Sequence, residues 1–390
     1  MKIFTRVTAL LLCLVLAVAM VGCDNLSESQ GGSATETVDP NAKSCGYSGT
    51  VSDVTFELAD LGEEVNIHTE RQQRAINYAL DGEFDKITTV ARGGSEWSHP
   101  EPVVLNWFVF AVDDITGYTV NVSENMDMSD PYFTGTTTTE TEIRVYNLEL
   151  ATTYYWTVTA TVAGKDVTSG VAVFTVSGQS PRNLYADGIT NVRDMGGWET
   201  ESGGRVKQGM LYRSARLNNN VVVTEDTIYT MKTVLGIRSE IDLRQDDDAQ
   251  YITESPLGAD VTYVRYPMTA ADNIILNNPE QIKQVMTFLA DESNYPILFH
   301  CSIGTDRTGA IAYLVNGLLG VTEEDLYLDY MYSHFGNIGG IRSVQTAMNY
   351  TELVSSYEGD TLSEKIYNYL VGVGVPSEQL GSIIGILTEE

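Results

Sequence analysis

Cysteine and histidine are both scarce in this chain, four of each in 390 residues. Cys13 lies inside an apolar leader, Cys23 closes it, and Cys45 ends the polar stretch that follows, so Cys301 is the only cysteine in the body of the folded region. A disulfide framework is not supported, and neither is a zinc site, which needs clustered Cys or His ligands. Positive charge is scarce as well: 23 Lys and Arg stand against 53 Asp and Glu, a formal net charge of −30. No basic surface would offset phosphate repulsion, which excludes nucleic acid as an expected partner. That total does not describe a pocket, because a local cluster of donors can hold an anion inside an acidic protein.

What is present begins with the leader. Lys2 and Arg6 precede "VTALLLCLVLAVAMVGC", which is short of the roughly 20 residues of a comfortable membrane span. Small or apolar residues ahead of Cys23 resemble a bacterial lipoprotein signal, residues 1–22, with Cys23 as the lipid-bearing first residue of the mature chain. An ordinary secretory signal or an uncleaved anchor are the alternatives, and all three imply an extracytoplasmic protein. Residues 23–45 are rich in Ser, Gly and Thr, as a flexible tether would be.

The rest is long enough for two or three domains, at about 100–200 residues each. Residues 46–97 are left without a function, although "DVTFEL" alternates like a strand and Thr69 to Gly82 predicts a short helix. From 98 to 177, short runs rich in Val, Thr and aromatics recur between turn residues, predicting an antiparallel β-sandwich. Trp107 on an early strand and the corner "LELATTYYW" resemble a fibronectin type III domain, which implies a spacer or a module for protein or carbohydrate contact. After the polar link "SGQSPRN", residues 180–390 alternate strands with helices. Thr224, Asn278 and Thr322 are expected N-caps, and Pro376 precedes a last helix. The expected class is α/β, helices flanking a largely parallel sheet, with ligands beyond the carboxyl ends of the strands.

"HCSIGTDRTG", residues 300–309, lies between the apolar runs "YPILF" and "AIAYLVNGLLG". It reads as a buried strand, a glycine-bearing turn and the first turn of a helix. Such a turn presents backbone N–H groups and the positive end of a helix dipole, and a cysteine there should lose its proton easily. Five residues separate Cys301 from Arg307, enough for the amides of Ser302, Ile303, Gly304, Thr305 and Asp306 to curl around one tetrahedral anion above the sulfur. Arg307 offers a planar fork to two phosphate oxygens. His300 can brace the loop from behind, and the Thr308 hydroxyl can donate to the sulfur.

This loop is similar to the signature of the cysteine-dependent protein tyrosine phosphatases, in the bacterial branch written His-Cys-x-x-Gly-Lys-Asp-Arg-Thr-Gly. The branch's upstream Asn-x-Arg-Asp-x-Gly-Gly element appears as "NVRDMGG", residues 191–197, followed by "GMLYRSARL" and "LGIRSEIDLR". The resemblance implies Cys301 as nucleophile, Arg307 as phosphoryl ligand and Asp306 as general acid, a phosphocysteine intermediate, and no metal or other cofactor. The usual loop lysine is Thr305 here, a positive charge missing from the expected pocket rim, which favours phosphotyrosine or a simple phosphomonoester over phosphoinositides.

Other residues carry blander expectations. Asn191, Arg193 and Asp194 would support the loop, the last two as a buried ion pair or turn, or line the pocket edge. Arg213 and Arg244 read as scaffold, Asp242 as scaffold or a second acid, and Asp246–Asp248 as a solvated loop. Tyr327, Tyr330 and Tyr332 read as packing. The expected function is a membrane-anchored phosphatase for phosphorylated proteins or peptides, with an inositol phosphate phosphatase and a phosphate-binding lipoprotein lacking turnover as alternatives. A rhodanese-type sulfur transferase is disfavoured by His300, the Arg-Thr pair and "NVRDMGG".

Overall fold

The computed structural model describes residues 46–51, 53–270 and 273–389. The signal, the tether and the lipidation position Cys23 lie outside the described residues. No described helix is long and apolar enough to cross a membrane.

The amino-terminal part is two antiparallel sheets. One has the order β1 (Ser48–Val51), β2 (Val54–Leu58), β3 (Val103–Phe110) and β6 (Glu142–Val145). The other runs β5 (Phe133–Thr137), β4 (Ile115–Ser123), β7 (Thr153–Val162) and β8 (Lys165–Thr168), with β9 (Ala172–Thr175) also paired to β7. Alternation along β3 buries Val103, Leu105 and Trp107 in the same apolar cluster as Val120, Val122, Tyr154, Trp156 and Phe174 of the facing sheet. β1 and β2, from the stretch that the sequence left unassigned, join this unit, β2 pairing to β3 and β1 to β2.

The carboxy-terminal part is built on a five-stranded sheet. Its order is β10 (Arg193–Asp194), β12 (Leu211–Ser214), β15 (Ile297–His300), β13 (Ser239–Asp242) and β14 (Thr262–Arg265). Only β10 pairs antiparallel, and the rest is parallel. β11 (Arg205–Val206) and β16 (Thr388–Glu389) make a separate two-stranded pairing. β15 is central and fully buried, as its apolar run requires. His300 therefore sits in register between Ser214 and Asp242, and whatever follows it emerges at the middle of the sheet's carboxyl edge.

The expected helix starts hold at Thr224 and Thr322, whose hydroxyls accept from backbone N–H groups three residues on, opening α3 (Glu225–Tyr229) and α7 (Glu323–Tyr332). Asn278 differs. It precedes α5 (Pro279–Leu289), but its amide is spent on Thr269 and Ile274, and the fixed φ of Pro279 starts the helix instead. The helices α8 (Gln345–Val354) and α9 (Leu362–Gly372), which the sequence reading did not single out, pack with α6 (Asp306–Leu318) in the main core. α10 (Ser377–Leu387) follows Pro376.

Two features tie the halves together. The helix α1 (Glu70–Leu80), closed by a Thr69–Gln72 capping box, places Ala75, Ile76 and Ala79 in the core of the carboxy-terminal part. The polar link "SGQSPRN" is half-buried, and its last three residues, 181–183, are buried. Arg182 is 2% exposed, bonded to Asp194 at 2.7 Å and to the Leu148 carbonyl at 3.0 Å.

Candidate active site

β15 ends at His300 and α6 begins at Asp306, so Cys301–Thr305 form a tight turn onto a helix amino terminus. Gly304 makes the turn possible. Its φ is +70°, and a Cβ there would sit 2.4 Å from the Ser214 carbonyl at the end of β12. Cys301 is buried at 1% exposure. Burial alone pushes its thiol up, but the Arg307 charge, the Thr308 hydroxyl and amide and the Ile303 amide outweigh that and bring it below the ordinary value.

Arg307 folds back under the loop. Its Nη2 donates to Ser302 Oγ at 2.8 Å and to Asp248 Oδ2 at 2.9 Å. Asp248 also accepts from the Ser302 hydroxyl, and although burial opposes its charged form, these donors hold its carboxyl below the usual range. Asp306, on the first turn of α6, is partly exposed and held by Arg342, Nε to Oδ1 at 3.0 Å and Nη2 to Oδ2 at 3.3 Å. Tyr330 lies 3.4 Å from the same carboxylate. The arrangement places a low-pKa thiol, a guanidinium and a carboxyl group around one turn of backbone amides.

Behind the loop stands a buried scaffold. Asn191 Nδ2 donates to the Ile303 carbonyl at 3.0 Å and Arg213 Nη2 to the Gly304 carbonyl at 2.7 Å. Arg193 bonds the Asn191 side-chain oxygen, and both arginines converge on Asp329 of α7. His300 bonds Glu240 at 2.8 Å through Nε2, with Nδ1 3.3 Å from the Cys301 carbonyl. Burial disfavours its charge, yet the Asp242 and Glu240 carboxylates raise its pKa overall. Asp329→Ala would leave two buried guanidiniums without their counter-charge, and a loss of about 3–5 kcal/mol is expected in urea unfolding; a change under about 1 kcal/mol would show that the pairing is dispensable.

Several expectations are corrected. Arg193 and Asp194 do not pair with each other: Asp194 faces away from the loop, accepting from Arg182 and from the Gly196 and Gly209 amides. Adjacent residues on a strand point to opposite faces, so each finds its own partner. Asp242 is no free acid. It is fully buried, clamped by Arg244 and bonded to Tyr263, and despite burial the His300 and Arg244 charges lower it to about 2. The acidic run is not wholly solvated, since Asp248 reaches Arg307. Thr305 is fully buried, so position 305 offers no side chain to an open rim. Tyr330 packs in the core and also touches Asp306.

A sequence profile of the tyrosine phosphatase family matches residues 184–371. Those residues, just under half of the chain, are similar to that family's sequences. The chain is 28% identical over 186 residues to a "putative tyrosine-protein phosphatase" of Cupriavidus necator, covering 41% of this chain and 66% of that protein. It is 30% identical over 120 residues to a tyrosine-protein phosphatase of Nostoc commune, covering 25% and 41%. The chain thus spans just under two thirds of one relative's length and two fifths of the other's. Among solved structures, TpbA of P. aeruginosa aligns with 22% identity and a TM-score of 0.29, over 42% of this chain and 91% of that one. The family match and the relatives' names support a phosphoric monoester hydrolase.

Sequence reasoning missed two groups of this site. Arg342 follows Gly339 and Gly340 in a non-helical segment, with nothing local to mark it. Asp248 was hidden among three consecutive aspartates, of which only the tertiary structure selects one.

Proposed function

We propose that the protein is a cysteine-dependent phosphomonoesterase working through a phosphocysteine intermediate. The Cys301 thiolate attacks phosphorus, the bond from phosphorus to the leaving oxygen breaks, and Asp306 gives that oxygen its proton. Water then attacks the phosphocysteine, Asp306 takes the water's proton, and the sulfur–phosphorus bond breaks to release phosphate. Arg307 and the loop amides carry the charge of the transferring group. The observation that carries this reading is the geometry of the turn, with Cys301 buried at the amino terminus of α6 and Arg307 on that helix's first turn, surroundings that lower the thiol's pKa.

Phosphotyrosine in proteins or peptides is the substrate class we favour, supported by the names of the relatives. The apolar leader ending at Cys23 supports an extracytoplasmic, lipid-anchored protein. The two facing sheets, with the Tyr154 hydroxyl accepting from the Glu149 amide at the corner before β7, support a fibronectin type III-like sandwich.

The test is alkylation by iodoacetate, read at the Cys301 peptide by mass spectrometry. The expected result is rapid reaction near pH 6, far below the ordinary thiol pKa of about 8.5, with protection by vanadate. Ordinary thiol behaviour without protection would overturn the reading. Hydrolysis of p-nitrophenyl phosphate, a phosphotyrosine peptide and inositol hexakisphosphate, compared side by side, then decides the substrate class: preference for the inositol phosphate overturns phosphotyrosine.

A further inference from the structure

Residues 91–97, the end of the stretch that the sequence left unassigned, and Ser98, the first residue of the expected sandwich, lie against the catalytic domain rather than beside the sheets. The Gly93 amide donates to the His334 carbonyl at 2.8 Å, the Gly339 amide to the Gly93 carbonyl at 2.8 Å, and the Trp97 amide to the Phe335 carbonyl at 2.6 Å. Gly93 is required there: its φ is +66°, and a Cβ would fall 2.3 Å from the Gly340 carbonyl. The segment they hold, 336–342, is the one that delivers Arg342 to Asp306.

Two side chains extend this contact to both halves of the reaction centre. Glu96 accepts through Oε2 from the Asn337 amide at 3.3 Å, and through Oε1 from the amide and hydroxyl of Ser98. Ser98 Oγ, fully buried, in turn accepts from the Asn191 amide at 3.1 Å. Asn191 has a left-handed backbone (φ 59°), and its side chain pins the Ile303 carbonyl of the signature loop. On the other arm, the Arg342 amide is fixed by the buried His334 ring at 2.8 Å. One carboxylate thus connects the segment that holds Asp306 with the residue that holds the loop.

We propose that residues 91–98 are a clamp that completes the reaction centre, with Glu96 positioning Arg342 on Asp306 and Ser98 positioning Asn191 under the loop. This rests on the phosphatase reading given above. A clamp of this kind makes the amino-terminal chain part of the catalytic apparatus, so the domain from 180 onward, taken alone, lacks one wall of its own support.

The test uses the full chain. Glu96→Ala should lower kcat for phenyl phosphate, a poor leaving group, by about tenfold, part of the 10²–10⁴ that a general acid contributes. Its kcat for p-nitrophenyl phosphate, a better leaving group, should fall by less than about threefold, with KM unchanged. Glu96→Gln, which keeps an accepting oxygen, should recover most of the loss, and Ser95→Ala, on the exposed side of the segment, should behave as wild type. Because Glu96 reaches Asp306 through Arg342, the extra loss on phenyl phosphate relative to p-nitrophenyl phosphate should be no larger in Glu96→Ala combined with Arg342→Ala than in Arg342→Ala alone. Equal loss on both esters, or additive loss in the double variant, would overturn the clamp while leaving the phosphatase reading intact. A wild-type chain that hydrolyses neither ester would instead overturn that reading.

Discussion

Replacing Cys301 by serine is expected to remove turnover, by at least about 10⁴-fold, while phosphate or vanadate binding stays measurable. The two functions separate because different atoms perform them. Anion binding belongs to the loop amides, the α6 amino terminus and Arg307, whose backbone and ion pair with Asp248 do not depend on sulfur. Bond formation belongs to the thiolate, and the same neighbours that lower the Cys301 pKa cannot ionise a serine hydroxyl near neutral pH. Gly304, wedged against the Ser214 carbonyl, holds the loop shape in either case. Normal turnover by Cys301→Ser would disprove the nucleophile assignment. Loss of vanadate binding together with turnover would show that the sulfur also holds the anion.

The second large effect is Asp306→Asn. The amide keeps the size of the carboxyl group and can still accept from Arg342 and Tyr330, which now bond the carboxylate, but it has no proton to give. Phenyl phosphate hydrolysis should fall by about 10²–10⁴, and p-nitrophenyl phosphate hydrolysis far less, because a weakly basic leaving oxygen departs unprotonated. An equal fall on both esters would point to another acid. Asp248 is then the next carboxylate to test, since it reaches Arg307 and Ser302 from the opposite side. Its bond to Arg307, the residue that holds the transferring group, suits an anchor for that guanidinium.

Much of the site was legible because its chemistry is local. A buried strand, a positive-φ glycine and a helix start lie within ten consecutive residues, so composition and order alone bring Cys301, Asp306 and Arg307 to one turn. The same holds for Thr224 and Thr322, where a cap and its partner stand three residues apart. Asn278 stands at the expected N-cap position, but its side chain is turned to Thr269 and to Ile274 of the short helix before it, contacts that the spacing to Pro279 does not encode. Asp242 read as scaffold or a second acid, and Asp248 as part of a solvated loop. One is neutralised by Arg244 within its own strand end, and the other reaches across to a helix distant in sequence.

By itself, the order of residues determined the elements and the reactive turn, since hydrogen bonds between near neighbours and apolar periodicity are written along the chain. The tertiary structure alone decided which charges face that turn. Arg342, Asp248, Asp329 and the Glu96–Ser98 segment come from separate stretches, and their pairing follows from how helices and strands pack, through contacts that no local spacing encodes.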